Sequence, residues 1–183
     1  MAEMISGPVL YAPRLETLET LSALKNLCEA HGNILAGEYG DLSPLAFYHE
    51  LKNLGCETLL VEILLKNKNR GLVESYLVTA SSLGFSGAVL AMGSFDKSPG
   101  MPMPVYDLDT AQALRLALDM RKAGRLREDF RIGVRAASGS GAAETRARYY
   151  ITEGADFIVL PPGGPVPGLE GHTITLKEAG PAA

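Results

Sequence analysis

Residues 58–92 read TLLVEILLKNKNRGLVESYLVTASSLGFSGAVLAM, and this stretch decides the fold class. Thr58 to Leu65 is an apolar run of strand length, and a second such run follows at Ala88 to Met92. Between them Asn69 is placed to cap a helix that Gly84 ends. Two apolar strands joined by a helix make a βαβ unit, which indicates a parallel sheet.

The same alternation of strands and helices extends in both directions along the chain. About six βα units are expected, because short apolar runs keep alternating with segments of helical spacing. The predicted strands are Val9 to Tyr11, Ile34 to Ala36, Thr58 to Leu65, Ala88 to Met92, Arg131 to Ala137 and Phe157 to Leu160. The predicted helices include Leu15 to Leu27, Leu45 to Leu54, Asn69 to Leu83, Leu108 to Ala123 and one that ends at Glu153-Gly154.

The number of units predicts an incomplete TIM-like (β/α) barrel with a parallel sheet. A closed eight-unit barrel typically takes about 250 residues, whereas this chain has 183. Residues 1–162 are assigned to the barrel domain and residues 163–183 to a Gly/Pro-rich tail, in which only His172 to Leu176 offers a further short strand. Open sheet edges need covering, so we expect a homo-oligomer or a partner protein.

Composition and charge narrow the function classes. With 46% hydrophobic residues the chain suits one domain, and its 17 basic and 21 acidic residues give a net charge of −4 without a basic cluster. Neither nucleic acid nor a membrane is therefore an expected partner. Cys28 and Cys56 show no metal-ligand spacing, so we expect no metal and two reduced core thiols in a cytoplasmic protein.

Several short motifs in the middle of the chain resemble the methylenetetrahydrofolate reductase family. The matching residues are Asn69-Arg70 after the third strand, Gly93 after the fourth, and the segment Tyr106 to Asp109 at a helix start. The resemblance implies a TIM-like barrel, an FAD cofactor and a folate-type small molecule. The cofactor-binding residues that it implies are Asn69, Arg70, Gly93, Ser94, Tyr106 and Arg148.

The chain departs from that family at most of the strand ends. Ser94 stands where the family has a flavin-binding Asp, Pro161 stands where it has a folate-facing Gln, and the first strand carries no carboxylate. Glu62 is the candidate catalytic residue, because an acid within an apolar strand must reach a partner or the open end of the barrel.

Structural interpretations of the same residues stay open. Asn69-Arg70 caps a helix in one interpretation, with Arg70 paired to Glu74 four residues on. Asp107 and Asp109 suit a helix start whether or not a ligand is near, so capping is the favoured interpretation.

Three functional hypotheses follow. The first is a non-catalytic or accessory methylenetetrahydrofolate reductase homologue of one-carbon metabolism with a degenerate flavin site. The alternative is an active flavin-dependent oxidoreductase of altered specificity, completed by a partner chain, with Glu62 as acid or base and Arg148 holding phosphate. A third is an unrelated reaction on a barrel-like scaffold, since fold does not fix function.

Overall fold

The strands of this protein are four to seven residues long, and four of them are almost entirely apolar, namely Val9–Ala12, Thr58–Leu64, Gly87–Ala91 and Phe157–Leu160. Its computed structural model describes residues 9–12, 33–37, 43–53, 55–56, 58–93, 106–136, 141–160 and 168–178. The strands are β1 (Val9–Ala12), β2 (Asn33–Ala36), β3 (Thr58–Leu64), β4 (Gly87–Ala91), β5 (Arg131–Arg135), β6 (Phe157–Leu160) and β7 (Thr173–Glu178). The helices are α1 (Tyr48–Asn53), α2 (Arg70–Leu83), α3 (Thr110–Lys122) and α4 (Gly141–Thr152), and short 3₁₀ segments are Pro44–Phe47 and Glu170–His172.

The seven strands are all parallel and pair in chain order around a closed barrel. The ring closes because β7 pairs with β6 on one side and with β1 on the other, where Val9 lies opposite Leu176. The predicted fold class, a TIM-like α/β barrel short of the full eight units, is confirmed.

Two apolar layers hold the barrel together, since successive side chains of a strand point to opposite faces. The outer layer packs helices against strands, and its cluster contains Leu77 of α2 and Leu114 of α3 together with Ile63 of β3 and Leu90 of β4. The inner layer is a smaller cluster made only of strand residues: Val9, Leu35, Leu60, Val89, Phe157, Val159, Ile174 and Leu176. Strand residues that lie two positions before or after a member of this inner cluster therefore also face the barrel interior.

The helix ends follow from local chemistry. Asn69 caps α2 by accepting a hydrogen bond from the backbone N–H of Leu72 at 2.9 Å. Gly84 ends that helix with φ +104°, a left-handed conformation that costs glycine little. Asp109 and Gln112 form a reciprocal capping box at the start of α3. These three ends were predicted from the sequence.

The C-terminal segment corrects one part of the sequence interpretation. Thr173–Glu178, assigned to a tail outside the barrel domain, is the strand that closes the barrel. Because β1 and β7 pair with each other, the open edges that motivated a partner chain do not exist in this barrel. Oligomerisation therefore stays a prediction without that argument.

Cysteine chemistry also differs from expectation. Cys56, which is buried just before β3, is disulfide-bonded rather than a reduced thiol. The only other cysteine of the sequence, Cys28, and the predicted helix from Leu15 to Leu27 lie outside the described residues. A disulfide at this position restrains the chain next to the strand that carries Glu62.

Candidate functional site

An acidic side chain lies inside the barrel near the C-terminal ends of the strands. Glu62 of β3 is two residues beyond Leu60, which belongs to the interior cluster, and it is only 1% exposed. Its register partner on β4 is Val89, another interior residue. The next interior position of β3 toward its N-terminal end is the apolar Leu60, so Glu62 marks the change from the apolar cluster to the C-terminal end of the barrel, which we call the mouth.

Arg135 is the partner of this acid. Its Nη1 lies 3.0 Å from Oε1 of Glu62, and the two residues come from strands that flank β4 on either side. The side chain of Arg135 is 28% exposed, whereas that of Glu62 is 1% exposed. The exposure of Arg135 does not come from its Nε or Nη2, because both nitrogens are buried together with Oε1 of Glu62.

Burying an ion pair in the barrel interior costs desolvation free energy. Removing two charges from water carries a penalty of several kcal/mol per ion, and well-packed apolar residues of similar volume are often as stabilising or more so. Charged groups of this kind concentrate at functional sites, although structural ion pairs also occur. The location at the mouth, where active sites of such barrels lie, favours the functional interpretation.

β4 lies between the two strands that carry the charged residues, and its interior-facing side chains become smaller toward the mouth. Val89 lies in one row across the sheet with Glu62 and Gly133. Arg135 comes one step beyond the last registered pair of β4 and β5, Leu90 with Val134, and Ala91 stands at that level on β4. The methyl group of Ala91 leaves room for the Arg135 side chain to cross β4 and reach Glu62.

A second cation lies at the end of β3. The backbone pairing of β3 and β4 continues past both strands, because the N–H of Lys66 donates to the carbonyl of Met92 at 3.2 Å. The Lys66 side chain passes over Gly93, since a Cβ at that glycine would stand 2.9 Å from the Lys66 Cδ. Lys66 and Arg135 thus approach the end of β4 from its two neighbouring strands.

Of the residues predicted to bind a cofactor, Asn69 and Arg70 serve the start of α2. Asn69 is the helix cap, and the backbone N–H of Arg70 donates to Oδ2 of Asp107 at 2.7 Å. The predicted pairing of Arg70 with Glu74 is wrong, because Glu74 pairs with Arg125 of the segment after α3 at 2.8 Å.

Of the other predicted cofactor-binding residues, Gly93 follows β4 at the mouth, whereas Tyr106 precedes α3 and Arg148 lies on α4. Tyr106 is 37% exposed before α3, and Gly93 is the glycine beneath Lys66. Arg148 lies on α4 and pairs with Glu144 one turn earlier at 2.8 Å, so it is held on the helix surface. Ser94 lies outside the described residues.

Sequence analysis identified Glu62 and missed Arg135. The available signal was the alternation Arg131-Ile132-Gly133-Val134-Arg135, which puts Arg135 on the same face of the strand as Gly133. Neither register across three strands nor the small size needed at Ala91 is visible in one sequence.

No group of three or more potential metal ligands occurs among the described residues. Within the same ranges, none of the helices has the length and apolar character needed to cross a membrane.

Comparison with known proteins identifies the fold. No protein-family model and no curated protein matches the chain. A crystal structure of 2,3-dimethylmalate lyase, a PEP mutase/isocitrate lyase superfamily member, matches with a TM-score of 0.55 and 16% identity over 84% of this chain. Orotidine 5'-monophosphate decarboxylase from Methanocaldococcus jannaschii, complexed with the inhibitor BMP, matches with a TM-score of 0.62 and 10% identity, covering 96% of this chain and 90% of that one.

A third match is phosphonopyruvate hydrolase in complex with oxalate and Mg++, with a TM-score of 0.57 and 18% identity over 84% of this chain. The chain spans 57% of the length of both the dimethylmalate lyase and this hydrolase. At these identities the matches show the TIM-barrel fold alone.

These neighbours overturn the predicted membership of the methylenetetrahydrofolate reductase family and the predicted role in folate metabolism. There is a physical reason for the misleading resemblance. Asn69 and Asp109 are helix caps, and Asp107 accepts from the first turn of α2. Such residues are preferred at helix starts, which follow the strands of any βα barrel whatever it binds.

Proposed function

We propose that this protein is a barrel enzyme that acts on a small carboxylate substrate at the mouth, with Arg135 as the residue that binds the carboxylate. The observation that carries the proposal is the ion pair of Arg135 with Glu62, at 3.0 Å, where the apolar interior ends. A guanidinium matches the geometry of a carboxylate with two parallel N–H donors.

Glu62 has a positioning role in this proposal. Its carboxylate holds the guanidinium across β4 through Nη1, and Nε and Nη2 of Arg135 are buried beside it, so a ligand that binds them has to be enclosed by the barrel. Preorganised charge of this kind stabilises a developing or bound anion without reorganisation at the moment of reaction. A direct acid or base role for Glu62, expected from the sequence, stays a prediction.

The neighbours support the choice of ligand class without establishing it. By their names, 2,3-dimethylmalate lyase and phosphonopyruvate hydrolase act on small carboxylates, and the hydrolase is in complex with oxalate. Oxalate is therefore a suitable first probe for this chain, and BMP, the inhibitor bound to the decarboxylase, is the probe for a nucleotide alternative.

A thermal-shift titration tests the proposal. We expect oxalate to raise the melting temperature of the wild-type protein in a saturable way, since a ligand that binds only the native state stabilises it by mass action. Arg135→Gln should abolish the shift, and BMP should give none with either protein.

Arg131→Gln is the matched control, because Arg131 begins the strand that Arg135 ends. It removes the same charge at the opposite end of the barrel and should leave the oxalate shift unchanged. Equal loss of the shift in both variants, or no shift in the wild type, would refute the carboxylate site.

Three expectations from the sequence stay predictions beside this proposal: an FAD cofactor, a homo-oligomer or partner protein, and a cytoplasmic location. The disulfide at Cys56 favours an oxidising compartment over a reducing one.

A further inference from the structure

We infer that Cys56 forms its disulfide with Cys28 of the same chain, and that this bond is a redox-controlled clamp on β2 and α1. Cys56 is disulfide-bonded, and the sequence holds two cysteines. Cys28, which lies outside the described residues, is therefore the one partner that a single chain offers. The inference goes beyond the proposed function, because it concerns how the barrel wall is held and not what the mouth binds.

The first step is the position of the bond in the chain. Cys56 comes shortly before β3, and Cys28 comes shortly before β2. A bond between them closes residues 28–56 into a covalent loop that contains β2 and α1, which we call the β2–α1 unit. Closing such a loop restricts the unfolded chain and so favours the folded unit. The clamp thus acts on one βα unit of the barrel.

The second step is the weak anchoring of α1. This helix is six residues long, and helices of that length are not stable on their own. Leu51 is its one buried residue, whereas α2 buries four residues and α3 buries five. Tyr48 at its start adds a contact with the Phe85 ring, at a centroid distance of 4.9 Å. Elements with few buried contacts open at a low free energy, so we expect local opening in the β2–α1 unit.

The third step is the place of β2 in the ring. β2 pairs with β1 on one side and with β3 on the other, so its release would open the barrel wall. The edge of β3, the strand that carries Glu62, would then present unpaired backbone groups to solvent. The oxidised protein is thus the closed ring, and reduction favours the form that opens at β2.

Reduction needs a dithiol as the second reactant. One thiolate of the dithiol attacks a sulfur of the disulfide and forms a mixed disulfide, and its second thiol then displaces the remaining protein sulfur. The dithiol leaves as a disulfide, and the protein takes up two electrons and two protons as two thiols. Because Cys56 is 2% exposed, attack at its sulfur requires the unit to open first. Reduction is therefore coupled to the opening that it favours.

Peptide mapping under non-reducing conditions tests the pairing. The protein is purified without reductant, and its monomeric fraction is digested. We expect a cross-linked species that joins the peptides of Cys28 and Cys56 and that disappears after treatment with dithiothreitol. A free Cys56 thiol, or a bond that joins two chains, would overturn the inference.

Thermolysin digestion of the native protein tests the clamp. We expect the protein that dithiothreitol has reduced, as checked by its mass, to be cut within residues 28–56 at least about tenfold faster than the oxidised protein. Its melting temperature should fall by about 10 °C, since the unfolded chain regains the freedom that the loop had removed. Cutting within α2 and α3 should accelerate less.

The double variant Cys28→Ala, Cys56→Ala is the control. It has no thiol that can respond, so dithiothreitol should leave both its cutting rate and its melting temperature unchanged. A response of this variant to dithiothreitol would overturn the inference, because the effect would then not run through the two cysteines. Unchanged cutting within residues 28–56 of the reduced wild type, or equal acceleration in α2 and α3, would also overturn the clamp.

Discussion

At the scale of single residues, the question for the Glu62–Arg135 pair is whether it stabilises the fold or is kept for ligand binding. Glu62 is as deeply buried as the leucines around it, yet it carries a charge that the interior must compensate. Removing one partner of such a pair leaves an uncompensated buried charge, whereas replacing both with apolar groups is often neutral. A double-mutant cycle therefore measures what the pair contributes to stability.

We expect Arg135→Met and Glu62→Met each to lower the free energy of unfolding, the former by roughly 3 kcal/mol because it strands the buried carboxylate. The double variant should recover most of that loss. Urea unfolding of the four proteins gives the cycle. A double variant as unstable as the sum of the two single variants would mean a coupling energy of zero, and would contradict an energetic interaction between Glu62 and Arg135.

Glu62 was visible in the sequence because an acid inside the apolar run of β3 has no ordinary structural explanation. Arg135 was not, because an arginine at the end of a strand is unremarkable until the register of β3, β4 and β5 is known. The site depends on contacts between strands, which one sequence does not encode legibly.

At the scale of elements, the Phe157 ring of β6 packs over Gly133 of β5. A Cβ on Gly133 would collide with the Phe157 ring, and both residues stand in the row that contains Glu62. The aromatic ring therefore fills the space that a side chain at residue 133 would occupy. This contact closes the interior beneath the ion pair.

Gly133→Ala should lower stability by about 1–3 kcal/mol through overpacking. Phe157→Leu in the same chain should restore part of the loss, because the smaller side chain vacates the space. Thermal unfolding of the single and double variants checks this. A neutral Gly133→Ala variant would mean that the ring does not lie over β5.

The start of α2 provides a second prediction at this scale. Asn69→Ala should cost about 1 kcal/mol by removing the cap on the Leu72 N–H. Because Asn69 serves the helix and not the mouth, we expect oxalate to bind this variant as it binds the wild type. Denaturant unfolding and calorimetry give the two numbers, and weaker binding at unchanged stability would instead put Asn69 in the ligand site.

Element boundaries were predictable from local chemistry. Ser43 with Pro44, Asn69 and Gly84 mark helix ends in the sequence and in the structure, with Ser43 accepting from the Leu45 N–H. The strands begin and end within two residues of the predicted positions because apolar runs bounded by turn residues leave little choice.

At the scale of the whole molecule, closure of the barrel was the feature that the sequence concealed. Counting about six units against the roughly 250 residues of a full barrel predicted an open sheet. The ring closes instead at seven strands, and the last of them follows a Gly/Pro-rich segment that gave only a weak strand signal. Pairing between the first and last strands is a long-range contact, and local patterns do not report it.

Deletion of residues 168–183 tests this closure. Without β7 the paired groups of β1 and β6 lose their partner, so we expect the shortened chain to lose cooperative unfolding or to aggregate. Size-exclusion chromatography and thermal unfolding distinguish these outcomes from a stable shortened barrel. A monomer with the melting temperature of the full chain would show that residues 168–183 are a dispensable tail.

The central claim is that Arg135 binds a small carboxylate at the mouth, and arginine side-chain NMR tests it most directly. The Nε–Hε resonances of the ¹⁵N-labelled protein, with Arg135 and Arg131 assigned through their Gln variants, are followed as oxalate is added. We expect the Arg135 signal to shift and saturate while the Arg131 signal stays in place. An unmoved Arg135 signal, or a uniform drift of all arginines, would contradict the claim.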